Sequence, residues 1–259
     1  MSYKATELES LAQESPLPPS LQQQQIFSYC TTTFPFKELV AEILGTQGEL
    51  HNLHTTHQGR AAMEKGSKKR RKDQFVKTWR SSHGSAARYR FNTALQNFAD
   101  NFIALRMSDP ALEPSIQARV AYQKEPILRV VLPSDTPSTP LHCDADYHHP
   151  PAEVNWWLPL TPVQGTNSLY IESRPGQGDF VPVRCEYGQV LRFYGNLCQH
   201  YTVPNISGTT RVSLDMRVLA MDYHNKGWRD RMGRTSIYMV DKYYIRAGSV
   251  SDTRTVADG

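Results

Sequence analysis

A chain of 259 residues that is 39% hydrophobic and 10% aromatic carries enough apolar material for a packed core, which excludes global disorder. No run approaches the ~20 apolar residues a membrane helix requires, and Met1 to Ser20 lacks the apolar stretch of a signal peptide, so a cytoplasmic protein with no membrane contact is expected. The formal charge of +4 owes much to one run, Lys68-Lys69-Arg70-Arg71-Lys72, read as a solvated face rather than a nucleic-acid patch.

The four cysteines, Cys30, Cys143, Cys185 and Cys198, form no C-x-x-C pair, so reduced thiols are expected. Residues 1–25 read as a flexible arm, because Pro16, Pro18 and Pro19 oppose helix and Gln22 to Gln25 is low complexity. Order is expected from Ile26 onward. Lys37 to Leu44 predicts a short helix with Leu39, Val40, Ile43 and Leu44 inward. Residues 55–85 are polar and basic and predict a surface helix or loop. In 88–107, Phe91, Ala94, Leu95, Phe98, Phe102 and Leu105 recur at helical spacing, and this apolar face is expected to pack on the outside of a sheet. Pro110 and Pro114 end it.

From about residue 119 the texture changes to short β-branched and aromatic runs broken by Pro, Gly, Asn and Ser. Strands are predicted near 127–132, 153–158, 168–172, 180–184, 189–194, 200–203 and 209–219, a pattern that favours an antiparallel sandwich or barrel. The basic, Tyr-rich tail from about 224 carries no clear pattern.

The chemistry-bearing motif is Leu141-His142-Cys143-Asp144. On an extended strand alternate side chains share a face, so His142 and Asp144 can meet one metal while Cys143 points away. The best third ligand is His200, which follows the turn signal Gly195-Asn196 and precedes the strand-like Tyr201-Thr202-Val203. Two His and one carboxylate leave open positions, the arrangement of iron(II) enzymes that bind a cosubstrate and oxygen. Shortly after His200, the strand Arg211-Val212-Ser213-Leu214-Asp215-Met216-Arg217-Val218 places Arg211, Ser213, Asp215 and Arg217 on one face. A dicarboxylic cosubstrate needs a fixed cation at its far end, which Arg211 supplies as a two-point grip, with the Ser213 hydroxyl beside it.

His142, Asp144, His200, Arg211 and Ser213 together resemble the signature of the 2-oxoglutarate-dependent iron(II) oxygenases, over roughly residues 120–220. Within them, Glu153 to Thr161, Gly165 to Leu169 and Arg211 to Arg217 are similar to small bacterial oxygenases named after a streptomycin-biosynthesis protein. The resemblance implies a mainly β fold with flanking helices, a double-stranded β-helix or distorted jelly roll. The organisation expected is a helical part over 26–115, a jelly-roll core over about 120–220 and a C-terminal extension over 221–259, all one catalytic domain. It also implies Fe(II), 2-oxoglutarate and O2 as cofactor and cosubstrates, with succinate and carbon dioxide as co-products of hydroxylating or desaturating a small polar metabolite. Asn155 and Trp157 are then expected to line the cosubstrate pocket, and Tyr147, Arg217 and Arg129 to approach substrate, with an ion pair to Asp215 or another carboxylate as the alternative for the two arginines.

The Arg211…Arg217 spacing also resembles the paired arginines of AlkB-type nucleic-acid demethylases. Those usually carry Asn and Tyr where this chain has Pro137 and Thr139, which counts against nucleic acid as a partner. Demethylases of the JmjC type generally use Lys in place of this Arg, and related halogenases lack the carboxylate that Asp144 provides. Action on protein or nucleic acid, or a non-catalytic jelly-roll binding protein, are the competing readings. His51, His54 and His57 are not expected to form a second metal site. His148 and His149, before Pro150 and Pro151, are expected on an exposed loop, and Trp156 and Cys198 in the core.

Overall fold

The computed structural model describes residues 3–46, 49–64, 68–107, 119–230, 232–235 and 237–248, without the side chains of 64–73. Helices α1 (Ala5–Gln13), α2 (Pro19–Gln22), α3 (Phe36–Ile43), α4 (His57–Glu64), α5 (Lys68–Ser81), α6 (Ala86–Phe98) and α7 (Ala104–Arg106) precede most of the strands. The strands are β1 (Gln25–Ser28), β2 (Val120–Gln123), β3 (Ile127–Val131), β4 (Glu153–Pro159), β5 (Tyr170–Ile171), β6 (Val181–Pro182), β7 (Gln189–Phe193), β8 (His200–Tyr201), β9 (Arg211–Ala220) and β10 (Tyr244–Arg246). None of the described helices is long and apolar enough to cross a membrane.

All pairings between the named strands are antiparallel. The larger sheet runs β1-β7-β4-β9-β2-β10, with β3 also paired to β9, and the smaller runs β6-β5-β8. Mainly antiparallel sheet with flanking helices is therefore the architecture, and each of the seven predicted strand regions contains an observed strand. Three strands went unpredicted. β1 lies at the Gln-rich tract, β2 just past the helical region and β10 in the tail.

The expected N-terminal arm is the main correction. α1 and α2 are ordered helices, and Leu8, Leu17 and Leu21 are buried. The prolines do not oppose this: Pro19 occupies the first turn of α2, where a missing N–H costs nothing, and Pro18 is extended ahead of it. The Gln tract makes specific bonds. Gln22 donates to Leu17 O, Gln24 to Glu172 O, and Gln25 accepts from Arg192.

α3 follows expectation, with Leu39, Val40 and Ile43 buried. In the polar 55–85 stretch, α5 anchors itself through Phe75 and Trp79; the side chains of the basic run at its start lie outside the described residues. The helix over 88–107 is interrupted by a π-turn at Ala99–Ile103. Phe91, Leu95, Phe98 and Phe102 are buried, but Leu105 is exposed. The extra residue of a π-turn rotates the last turn away from the stripe, which a constant helical period does not foresee. Phe102 meets Trp156 of β4 edge-on at 6.4 Å, and Phe27 of β1 stacks on the same indole at 5.6 Å, so the helical layer covers the outer face of the large sheet.

Replacing Leu8 by Ala is expected to lower unfolding free energy by about 2–4 kcal/mol, measured by urea denaturation. A mobile arm would give no change.

Candidate metal centre and anion pocket

The H-x-D segment is not the continuous strand its spacing suggested. His142 forms an isolated bridge with His200, exchanging two backbone bonds of 3.2 and 2.8 Å. Cys143 stays extended, and a 3-10 turn begins at Asp144 and runs to Tyr147. Two extended residues still separate the faces, so Cys143 is fully buried while His142 and Asp144 converge. The turn is tied to the segment before β8 by Asp144 N–H to Gly195 O (2.8 Å) and Ala145 N–H to Asn196 O (3.0 Å).

One ligand atom each from His142, Asp144 and His200 lie within 4.8 Å of one another, the one such cluster found among the described residues. Nδ1 of His142 is 2.9 Å from Pro140 O and Nδ1 of His200 is 3.0 Å from Cys198 O. A carbonyl oxygen only accepts, so both Nδ1 atoms carry the proton and both Nε2 lone pairs are left for a metal. Burial pushes the His200 pKa down to about 4, against the opposing pull of Asp144, so its ring is neutral at physiological pH.

Asp144 is fully buried. Burial alone would raise its pKa, but Arg217, then His200 and His149, outweigh burial and hold the carboxyl well below the ordinary carboxylate range. Arg217 grips it with two N–H donors, Nε to Oδ2 and Nη2 to Oδ1, both 3.1 Å, and Asn155 Nδ2 donates to Oδ2 at 2.7 Å. Gly195 makes this approach possible: a Cβ there would lie 2.7 Å from both the Asn155 amide and the Phe193 ring.

The β4–β9 register sets Asn155 opposite Arg217 and Trp157 opposite Asp215. Arg211, Ser213, Asn155, Trp157 and Arg217 are all buried along this face. Arg211, Asn155, Trp157 and Arg217 line a cavity with His142 and His200. Arg211 spends one donor on Asn167 O at 3.2 Å, while its Nε and the Ser213 hydroxyl are buried with no hydrogen-bond partner. Burial, with Asp215 opposing and Arg129 assisting, lowers the Arg211 pKa to about 10, which leaves it cationic at neutral pH. A buried cation with unused donors, beside an unused hydroxyl, fits an incoming carboxylate.

The residues expected near substrate divide. Tyr147 is half-exposed and meets the His142 ring edge-on at 5.4 Å, at the rim of the cluster. Arg217 is buried against Asp144, the ion-pair alternative. Arg129 lines the cavity but is paired to Asp215 at 2.6 Å, again the ion-pair alternative. His149 lies on a loop as expected but is buried rather than exposed: it is 2.9 Å from Glu153, and its ring stacks on Tyr238 at 3.7 Å. His148 has a positive φ of 68° and contacts Asp230 at 2.7 Å. Trp156 and Cys198 are core residues as expected. Sequence reasoning passed over Glu153, although strand alternation puts it on the face of Asn155 and Trp157, and Tyr244, for which the tail offered no periodic signal.

No protein-family model matches the sequence. The streptomycin biosynthesis protein StrG of Streptomyces griseus is 40% identical over 100 residues, which are 39% of this chain and 47% of StrG, so the match spans about half of that relative's length. Among solved structures, the non-heme α-ketoglutarate-dependent carbocyclase SnoK from nogalamycin biosynthesis is similar with a TM-score of 0.48 and 14% identity, covering 95% of this chain and 99% of SnoK. The non-heme monooxygenase ThoJ in its nickel complex gives 0.47 and 11% identity over 78% of this chain and 76% of ThoJ. AviO1 from Streptomyces viridochromogenes Tue57 gives 0.41 and 14% over 85% and 96%. These structural similarities are distant.

Gly195→Ala is expected to push Asn155 off Asp144 and weaken Co(II) binding about tenfold, the usual scale for losing a partner of a metal ligand. Isothermal titration calorimetry reads it; unchanged affinity would mean that the Asn155 contact does not matter to the site.

Proposed function

We propose that this chain is an Fe(II)- and 2-oxoglutarate-dependent oxygenase that hydroxylates or desaturates a small polar metabolite, releasing succinate and carbon dioxide. One observation carries the reading: the two histidines of a two-His, one-carboxylate cluster line the same cavity as a buried arginine with unfilled donors. The two sheets are read as the halves of a double-stranded β-helix. The partial match to StrG, named for streptomycin biosynthesis, supports a small-molecule substrate.

On this reading His142, Asp144 and His200 hold the iron, which supplies the oxidative chemistry when bound. Arg211 and Ser213 bind the distal carboxylate of 2-oxoglutarate, and Trp157, whose ring centre is 5.7 Å from the Arg211 guanidinium carbon, walls that end of the cavity. Backbone carbonyls hold the protons of both histidines on Nδ1. Asn155 and Arg217 orient Asp144 and keep it ionised. Tyr147 stands at the entrance, where a polar substrate meets its hydroxyl. No side-chain general base is required.

Incubating the protein with Fe(II), 2-oxoglutarate, O2 and a panel of polar metabolites is expected to yield succinate, with turnover falling at least a hundredfold in Arg211→Ala, an order-of-magnitude expectation for losing a charge-assisted grip of about 3 kcal/mol. Failure of every panel member, together with 2-oxoglutarate affinity untouched by Arg211→Ala, would reject the assignment.

A further inference from the structure

The donors around Asp144 extend beyond the cavity into a buried chain of polar groups. Glu153, the first residue of β4, is fully buried, and its Oε1, which has no hydrogen-bond partner, makes a charge contact at 3.3 Å with the same Arg217 Nε that donates to Asp144. Its other oxygen, Oε2, accepts from His149 Nδ1 at 2.9 Å and from the Tyr244 hydroxyl. His149 is in turn clamped by Tyr238, and the Tyr243 hydroxyl also meets Arg217. Three of these groups, Tyr238, Tyr243 and Tyr244, come from the C-terminal extension, and Tyr244 is fixed by the pairing of β10 with β2.

We propose that Glu153 is a positioning residue of the metal centre, dividing the charge of Arg217 with Asp144 and tying the geometry of that ligand to the C-terminal extension. This rests on the iron-site reading above.

The physical reason is a matter of charge sharing. An arginine wholly committed to Asp144 would neutralise the carboxylate and reduce its value as a metal ligand. A second carboxylate on the same guanidinium returns negative charge to the site, so Arg217 can orient Asp144 without cancelling it. Arg217 is correspondingly held as a cation: burial would lower its pKa, but Asp144 and Glu153 together raise it well above the ordinary value. A buried carboxylate at such a position costs desolvation and is usually retained only when hydrogen-bonded on its remaining oxygen. His149 and Tyr244 meet that requirement at Oε2. The extension therefore does more than cover the sheet, since displacing Tyr244 frees Glu153, then Arg217, then Asp144.

The test uses Co(II) as the probe metal on the full-length protein, with affinity from calorimetry, the visible d–d absorption spectrum of bound Co(II), and the melting temperature of the metal-free form. Glu153→Gln, nearly isosteric, is expected to weaken Co(II) binding about tenfold, in line with losing an outer partner of a ligand, and to shift the Co(II) spectrum. Tyr244→Phe, which removes one hydroxyl, is expected to weaken binding a few-fold in the same direction and serves if Glu153→Gln does not fold. A lowered melting temperature with affinity and spectrum equal to the parent would overturn the proposal and leave Glu153 a structural residue. If the parent protein binds Co(II) equally well after Asp144→Ala, the metal-centre reading itself falls, and this inference with it.

Discussion

The site depends on one buried ion pair. Asp144 has no exposure and yet must stay ionised to serve as a ligand, which in a low-dielectric interior is possible only beside fixed positive charge and donors. Arg217 supplies both, through two N–H bonds that fix the plane of the carboxylate as well as its charge. Breaking such a pair on one side typically costs about 3–5 kcal/mol, because the other charge is left stranded. The fold is arranged so that this does not happen. Asn155 adds a third donor, Gly195 keeps clear the space Asn155 crosses, and Gly195 O accepts from the Asp144 backbone.

The β4 and β9 side of the cavity follows from the register between these two strands. Once Asn155 stands opposite Arg217, strand alternation carries Trp157 to Asp215 and sends Ser213 and Arg211 along the same buried face. A slip of one residue would turn Val212, Leu214 and Met216 inward and remove both Arg211 and Arg217 from the cavity. The same strand thus sets Arg217 against Asp144 and the buried Arg211, with its unpartnered Nε, further along the face, while the smaller sheet delivers His200 and, through its bridge, His142.

Much of this was legible in the sequence where a single period governs. The alternation in 211–217 and 153–157 gave the cavity face, and the apolar stripe from Phe91 to Phe102 gave the covering helix. Where two rules compete, sequence reasoning failed. Prolines at 16, 18 and 19 read as breakers, yet position within the helix decides, and Pro19 starts one. The π-turn at Ala99–Ile103 exposes Leu105 against its period. His149 was expected to be exposed because its partners, Glu153 and Tyr238, are contributed by elements that only tertiary structure brings together. The isolated bridge at His142 followed by a turn at Asp144 achieves the convergence that a strand was expected to give, by a different local route.

The central claim is that a metal sits among His142, Asp144 and His200 with a dicarboxylate reaching from it to Arg211. Anomalous diffraction at the iron edge, from crystals grown anaerobically with ferrous iron and 2-oxoglutarate, tests this directly. The account predicts one iron peak within coordination distance of both Nε2 atoms and the Asp144 carboxylate, and density for the distal carboxylate against Arg211 Nε and Ser213 Oγ. An iron peak elsewhere, or 2-oxoglutarate bound away from Arg211, would contradict it.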